Sequence, residues 1–128
     1  MEKIIAKKEE ENKLTLIPKA EKYIEYIIEL LIKLPRTEKF SIGTEYKQSL
    51  YKMLEKIMEL NKMQKTEKVE TIRTLNKIDT LLNTQRIYLR IMKKYKWIDE
   101  KKFKVAMEQI YEIGKVLGGL IKYYAKNN

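Results

Sequence analysis

The sequence predicts an all-α fold, an antiparallel up-down four-helix bundle, from three observations. Apolar residues recur at intervals of three and four along four long segments, which is the spacing of one face of an α-helix. Glycine and proline are scarce, with four and two copies in 128 residues, and no segment has the alternating pattern of a strand. The links between the segments are short, which favours antiparallel neighbours. A helical array or a domain-swapped dimer would also satisfy these observations.

The first helix is predicted to begin at Pro18, since a proline in the first turn gives up no helical hydrogen bond. It should end before Pro35, which disfavours the helical conformation of the preceding residue. Residues 1–17 have balanced charge and weak apolar patterning, so we expect a flexible or frayed N-terminal tail before a bundle domain of residues 18–128. The predicted apolar face of this helix is Tyr23, Ile24, Ile27, Ile28, Leu31 and Leu34.

The starts of the second and third helices are marked by hydroxyl residues. Thr37 or Ser41 can cap the second helix and Thr66 the third, because a hydroxyl oxygen accepts a hydrogen bond from a free N–H of the first turn. The second apolar face is predicted to be Tyr46, Leu50, Met53, Leu54, Ile57, Leu60 and Met63. The third is predicted to be Ile72, Leu75, Ile78, Leu82, Leu89 and Met92.

The fourth helix has the clearest start. Asp99 is expected as its N-cap, Glu100 adds a negative charge to the first turn, and Ile98 and Phe103 have the spacing of a hydrophobic staple. Its predicted apolar face is Phe103, Met107, Ile110, Ile113, Leu117, Leu120 and Tyr124.

Three glycines in this last segment require a reason, because a glycine within a helix costs up to about 1 kcal/mol relative to alanine. The helix can end at Gly118 as a C-cap. Alternatively, Gly114, Gly118 and Gly119 form a flat strip for close packing, within the bundle or between subunits. Apolar and aromatic residues continue to Tyr124, so we favour the strip.

The absence of cysteine and histidine excludes disulfides, thiol nucleophiles, imidazole catalysis and Cys/His metal sites. Three pairs of glutamates have i, i+4 spacing, but they flank the apolar faces, which indicates solvated helix surfaces. These pairs are Glu25/Glu29, Glu55/Glu59 and Glu108/Glu112. A Ser/Lys dyad stays open; otherwise we expect no enzyme, no metal and no cofactor.

The sequence shows neither a signal peptide nor a membrane span. The N-terminus has no continuous apolar stretch of signal-peptide length. The most apolar window, residues 23–34, contains three charged residues and is well short of the ~20 residues that cross a bilayer. We therefore expect a soluble cytoplasmic protein.

The net charge of +10 suggests a polyanionic partner, either nucleic acid or an anionic membrane surface. All but four of the 28 basic residues are lysines, a bias that an AT-rich genome can also produce, so position matters more than total charge. Residues 65–128 carry a net charge of +8. Within them, residues 86–104 hold eight basic residues and only two acidic ones.

This basic segment is the predicted binding surface. Arg86 and Arg90 lie one helical turn apart, and arginine is a planar, forked donor for phosphate or carboxylate that lysine cannot imitate; a solvated helix face is the alternative. Tyr95 and Trp97 can stack on unpaired bases or pack at the end of the bundle. The predicted nucleic-acid or partner contacts are Arg73, Lys77, Arg86, Arg90, Lys93, Lys94, Lys96, Lys101, Lys102 and Lys104.

Three motifs, in this order, resemble the accessory variability determinant (Avd) proteins of diversity-generating retroelements. LPRTEKFSIG, residues 34–43, resembles the family's LPR-x-x-RF-x-LG signature, and Arg86-x-x-x-Arg90 resembles its helix-three arginines. IGKVLGGLI, residues 113–121, resembles its closing IG-x-x-LGGW-I motif, although Leu120 stands where the family often has tryptophan. The residues that carry the first motif are Leu34, Pro35, Arg36, Phe40 and Gly43.

The resemblance implies a four-helix bundle that assembles into a ring-shaped homo-oligomer, a pentamer in the family, with a basic surface. It implies binding to the element's reverse transcriptase and to template RNA or cDNA, without catalytic activity. Five such subunits would carry about +50, which favours salt-dependent binding. Related intervening-sequence proteins, encoded within ribosomal RNA genes and of obscure role, are one alternative. A basic amphipathic adaptor for a membrane surface or protein partners is another.

Overall fold

The computed structural model describes the backbone of residues 2–64 and 66–126, with the side chains of Ile4, residues 11–64 and residues 66–126. This part of the chain forms five helices and no strand, which confirms the all-α four-helix prediction. No helix within it is both long and apolar enough to cross a membrane. The helices are α1 (Glu2–Ile32), α2 (Arg36–Lys39), α3 (Ile42–Lys62), α4 (Lys68–Lys94) and α5 (Glu100–Lys126).

The four long helices form a closed square, in which α1 and α4 each pack against both α3 and α5. Contacts between α1 and α3 show that the two helices run in opposite directions. Tyr23 meets Tyr46 near the start of α3, whereas the earlier residue Lys13 reaches the carbonyl of Met63 just beyond its end. The other three neighbouring pairs show the same opposition. The bundle is therefore antiparallel.

This topology gathers residues 32–42 and 94–100 at one end of the bundle. The ends of α1 and α4, the starts of α3 and α5 and the short helix α2 all lie here. We call it the α2 end.

The core lies between the four long helices and is built from the predicted apolar faces. Nearly all predicted positions are buried, and the half-buried ones, such as Leu54 and Ile72, lie at the edges of these faces. The prediction omitted three buried residues of α1, Leu16, Ala20 and Leu30. Of these, Leu16 lies in the part of α1 before Pro18, and burying a large aliphatic side chain contributes roughly 1.5–3 kcal/mol, so this extra length of α1 adds to the core.

The predicted start of the first helix at Pro18 is wrong, because α1 begins at Glu2 and Pro18 lies inside it. A proline within a helix leaves the carbonyl four residues earlier, here that of Leu14, without its donor. Leu14 and Pro18 are both exposed, so this face of the helix is open to water. The division of the chain into a tail of residues 1–17 and a bundle stays a prediction. Within residues 1–17, the side chains before residue 11, apart from that of Ile4, lie outside the described residues. Leu16 belongs to the core.

Two helix starts differ from the prediction in detail. Thr37 lies within α2, and Ser41 does stand at the N-cap position of α3, but its hydroxyl donates to the carbonyl of Thr37 at 3.1 Å instead of accepting a bond from the helix. Glu67, rather than Thr66, precedes α4, and it makes no side-chain cap either. Packing of the apolar faces thus fixes these starts more than capping does.

The predicted start of α5 is confirmed. The N–H of Lys102 donates to Oδ1 of Asp99 at 2.8 Å, which is an N-cap hydrogen bond. Ile98 is buried and Phe103 is half-buried against the core, as a hydrophobic staple requires. The helix continues well past Gly118, so the alternative of a C-cap at that glycine is wrong.

A buried polar network, which the apolar pattern of the sequence does not reveal, crosses the middle of the core. The Tyr23 hydroxyl donates to Oε1 of Gln85 at 2.8 Å, and because its proton is used there, it accepts from the Tyr46 hydroxyl at 2.8 Å. Gln85 Nε2 donates to Oγ of Ser49 at 3.0 Å and lies 3.8 Å from Sδ of Met53. The network joins α1, α3 and α4, which gives these helices a defined register.

Burial raises the pKa of both tyrosines in this network. The pKa of Tyr23 rises because the phenol is desolvated, although the Tyr46 hydrogen bond and the charge of Arg86 act in the opposite direction. The pKa of Tyr46 rises well above its ordinary value, first through desolvation and then through the proximity of Tyr23. Both phenols therefore stay protonated and able to donate at neutral pH.

Candidate nucleic-acid interface

The basic segment 86–104 covers the last turns of α4, the turn that follows and the first turn of α5, so it lies at and beside the α2 end. Within the described residues, five of its eight cations are exposed and form no ion pair or side-chain hydrogen bond, which leaves them able to meet phosphates. We call these five the free cations. They are Arg90, Lys94, Lys96, Lys101 and Lys104.

The other cations of the segment are half-buried and partly engaged. Lys93 pairs with Glu100 at 3.1 Å, and its ammonium lies 4.5 Å from the centre of the Phe103 ring. This contact joins the end of α4 to the start of α5 and is a cation–π arrangement. Lys102 is half-buried, and its backbone N–H is the one that Asp99 caps. Lys93 therefore contributes to the fold at least as much as to a binding surface.

Arg86 and Arg90 follow each other on one side of α4, as their spacing predicts, but their surroundings differ. Arg90 is exposed, whereas Arg86 is half-buried and donates through Nη1 to Oδ1 of Asn83. Nη2 of Arg86 lies 3.8 Å from the position that a Cβ at Gly114 would take. The guanidinium of Arg86 is thus held at the seam between α4 and α5, with one edge turned towards Asn83.

The turn after α4 has a defined hydrogen-bonding pattern. The N–H of Trp97 donates to the carbonyl of Met92 at 2.9 Å, and the N–H of Lys96 donates to that of Lys93 at 3.0 Å. The backbone angle φ of Lys96 is 61°, in the left-handed region that usually requires glycine. These are the two bonds and the left-handed residue of a Schellman motif, so the turn is fixed rather than loose.

This turn holds two aromatic rings against each other. The ring centres of Tyr95 and Trp97 are 5.3 Å apart, and their planes differ by 22°. Trp97 is half-buried against the core, whereas Tyr95 is 61% exposed. Trp97 therefore packs at the end of the bundle and Tyr95 is open to solvent, while stacking on unpaired bases stays a prediction.

Arg73 and Lys77 do not join the other predicted contacts. They lie in the first half of α4, away from the α2 end, and line a groove with Lys52 and Lys56 of α3. Arg73 is paired with Glu70 at 2.8 Å. The structure thus divides the predicted set between two places, and it adds two lysines on α3 that the sequence analysis did not single out.

The glycines of α5 have different neighbours. A Cβ at Gly114 would lie 3.7 Å from Leu82 Cδ2, which is ordinary van der Waals contact. A Cβ at Gly118 would meet nothing within 4 Å, and both Gly118 and Gly119 are exposed. Close packing inside the bundle therefore does not require Gly118, and a role for the exposed glycines between subunits stays a prediction.

The residues of the first motif build the link around α2. Leu34 and Gly43 are buried, and a Cβ at Gly43 would come within 3.2 Å of the Glu38 carbonyl, so glycine permits a close approach there. Pro35 stands at the N-cap position of α2. Arg36 and Phe40 are exposed, the latter at 77%. Three residues of the motif thus shape the link, and two face solvent at the α2 end.

The glutamate pairs lie on solvated surfaces, since all six side chains are exposed. Glu112 forms an ion pair with Lys19 of α1 at 3.8 Å, and Glu59 forms one with Lys56 at 3.2 Å. In the described residues, no cluster of three or more possible metal-ligating side chains occurs.

The fold and the surface define a class of protein, a small helical bundle with a dense basic segment at and beside one end. Comparison of sequences makes the assignment more specific. Residues 11–124 match the model of the bAvd-like family, so the chain belongs to that family. A comparison with curated proteins gives no match.

Comparison with solved structures supports the fold. The chain is similar to a protein of unknown function from the S23 ribosomal protein family of Bacteroides thetaiotaomicron VPI-5482, whose crystal structure was determined at 1.70 Å resolution. The match has a TM-score of 0.74 at 16% identity and covers 88% of this chain and 96% of that one. At this identity the likeness concerns the fold alone, and it is consistent with an Avd-related bundle.

Proposed function

We propose that the protein is a non-catalytic accessory protein of a diversity-generating retroelement, which binds the reverse transcriptase and template RNA or cDNA. The observation that carries this proposal is the set of free cations at and beside the α2 end, in a chain that belongs to the bAvd-like family. Family membership supports the accessory role. The free cations support nucleic acid as the ligand, because exposed unpaired cations can neutralise backbone phosphates and release their condensed counterions.

The proposed mechanism is electrostatic. Arg90 and the four free lysines neutralise backbone phosphates and release condensed counterions, which makes binding steeply dependent on salt and largely indifferent to sequence. Arg86, fixed at the α4–α5 seam, adds a forked donor of defined direction. The protein in this account acts in the cytoplasm, needs no cofactor, and holds the template for the chemistry of another enzyme.

A homopentameric ring is part of the same proposal. Exposed apolar side chains on the outer face of α4, Ile87 and Ile91 among them, can pack against a neighbouring subunit. A ring would bring several copies of the basic end onto one strand, which raises the effective concentration of cations. Native mass spectrometry tests the assembly, and a purely monomeric mass at micromolar concentration would contradict it.

The site assignment is tested by removing the two arginines together. We expect Arg86→Ala with Arg90→Ala to weaken binding of a fluorescent single-stranded RNA at least tenfold at low salt and to reduce capture of the reverse transcriptase, while circular dichroism stays unchanged. The matched control is Lys22→Ala with Lys122→Ala, which removes the same charge from exposed positions on α1 and α5 outside the basic segment. Equal losses in the two double variants would show that only total charge matters.

A second double variant separates charge from geometry. Arg86→Lys with Arg90→Lys keeps the net charge of +10 and removes the planar fork. We expect a loss of affinity between those of the wild type and the alanine variant. Unchanged RNA and reverse-transcriptase binding in the alanine variant would overturn the assignment, and binding to anionic vesicles in place of RNA would point to a membrane-surface adaptor instead.

A further inference from the structure

The turn between α4 and α5 presents an aromatic surface that the electrostatic account does not use. Tyr95 lies with one ring face against Trp97, at a centre-to-centre distance of 5.3 Å. The Tyr95 side chain nevertheless remains 61% exposed, so its opposite face is open to solvent. An exposed ring supported from beneath by a second ring is the geometry on which an unpaired base can stack.

The position of these rings is fixed by the backbone. The Tyr95 N–H donates to the Ile91 carbonyl at 3.1 Å, and the Schellman bonds hold the next two residues. Lys96, between the two aromatic residues, keeps a φ angle of 61°, a conformation that is unfavourable for a residue with a Cβ. A conformation of this kind persists only where its surroundings determine it, and such residues concentrate at functional sites.

The Tyr95 hydroxyl offers a contrast with the tyrosines of the core. The hydroxyls of Tyr23 and Tyr46 are hydrogen-bonded to each other, and Tyr23 bonds Gln85 as well. The hydroxyl of Tyr95 has no hydrogen bond with any residue that the structure describes. The core packing therefore does not account for an aromatic residue at position 95.

The charges beside the platform are those that a nucleic-acid backbone requires. Lys94 and Lys96 flank Tyr95 in the chain, and both are among the free cations. A strand whose phosphates meet these ammonium groups can place a base on the open ring face. In a duplex the flat faces of the bases are covered by their neighbours, so the same surface can bind duplex only through phosphates.

We propose that Tyr95, supported by Trp97, is a stacking platform for an unpaired base, so that the basic end binds single-stranded nucleic acid in preference to duplex. This inference rests on the proposed nucleic-acid-binding function and adds the form of nucleic acid that the surface takes. Tyr95 and Trp97 contribute affinity through stacking, and the lysines beside them contribute it through charge.

The test compares three oligonucleotides of one length by fluorescence anisotropy at fixed salt. They are a single strand, its blunt duplex, and a single strand of abasic sites that keeps the phosphates. We expect Tyr95→Ala to weaken binding of the single strand about tenfold and to leave the duplex and the abasic strand unchanged. Tyr95→Phe keeps the ring and should bind like the wild type. Tyr111→Ala is the matched control, since Tyr111 is also 61% exposed but lies outside the basic segment.

A second readout uses the only tryptophan of the chain, Trp97. Stacking of a base on the platform should change its fluorescence when the single strand is added, and the abasic strand should not. If the wild type binds none of the three ligands, the proposed function fails together with this inference. If the wild type binds all three equally well, or Tyr95→Ala binds the single strand as the wild type does, the platform alone is refuted.

Discussion

The hydroxyl of Tyr23 on α1 donates a hydrogen bond to Oε1 of Gln85 on α4 at 2.8 Å, in the centre of an otherwise apolar core. Gln85 in turn donates to Ser49 of α3, so one amide connects three helices. The two helices joined by the first bond lie across the bundle from each other and share no side of the square. This bond therefore fixes the position of α1 relative to α4, two helices that do not pack against each other as neighbours.

Replacement of Gln85 by leucine should destabilise the protein more than the small difference in side-chain volume suggests. The variant leaves one proton of the buried Tyr23–Tyr46 hydroxyl pair without an acceptor and Ser49 without its donor, and an unsatisfied buried polar group costs about 1–3 kcal/mol. Combining Gln85→Leu with Tyr23→Phe and Tyr46→Phe removes both phenol hydroxyls, leaves only Ser49 without its partner, and should restore most of the loss. Urea unfolding measures both, and a triple variant that is less stable than Gln85→Leu would contradict the assigned network.

The raised pKa values of Tyr23 and Tyr46 predict a specific alkaline instability. Below pH 10 both tyrosines are protonated in the folded and unfolded states, so their contribution is fully present. Above pH 10 the unfolded phenols lose protons that the folded ones keep, so the free energy of unfolding falls, by up to about 1.4 kcal/mol per pH unit for each tyrosine.

This alkaline effect is isolated by comparing two proteins. The free energy of unfolding of the wild type should fall more between pH 9 and pH 11 than that of Tyr23→Phe with Tyr46→Phe. The lysines titrate in the same range in both proteins, so the difference between the two slopes reports the buried phenols. Parallel slopes would mean that the two tyrosines ionise as easily in the folded protein as in the unfolded one.

Lys96→Gly should raise the stability of the protein by about 1 kcal/mol, because glycine adopts φ 61 without the strain that a Cβ causes. The matched control is Lys94→Gly, which loses the same charge and the same side chain from the last turn of α4, where the conformation is helical. The control should lower stability by up to about 1 kcal/mol. Thermal unfolding checks the pair, and a change of the same sign in both would contradict the role assigned to the turn.

The sequence was sufficient for the core faces and for the start of α5. The intervals of three and four that place Leu75, Ile78 and Leu82 in the core follow directly from helix geometry. Asp99 marks the start of α5 because aspartate is one of the residues preferred at the N-cap. The length of α1 is not predictable from this pattern, because Pro18 fits the first turn of a helix equally well, whereas in the structure it lies inside α1 on a solvated face.

The candidate site was only partly predictable. The helical spacing itself indicates that Gln85 is buried, because it occupies the core position between Leu82 and Leu89 in the third apolar face. Polar residues are usually expected on the surface, however, which argues against this position. The left-handed conformation of Lys96 had no signal, because the chain places lysine where a Schellman motif favours glycine. The separation of Arg73 and Lys77 from the α2 end follows from helix length, which composition does not reveal.

The dependence of RNA affinity on salt concentration shows whether the free cations bind phosphates. Five phosphate contacts on a single strand predict a slope of about −3.5 in a plot of log association constant against log salt concentration. Replacing Lys94, Lys96 and Lys101 by glutamine should make that slope shallower by about 2, with unchanged circular dichroism. A wild-type slope near zero, or an equal slope in the triple variant, would contradict the account.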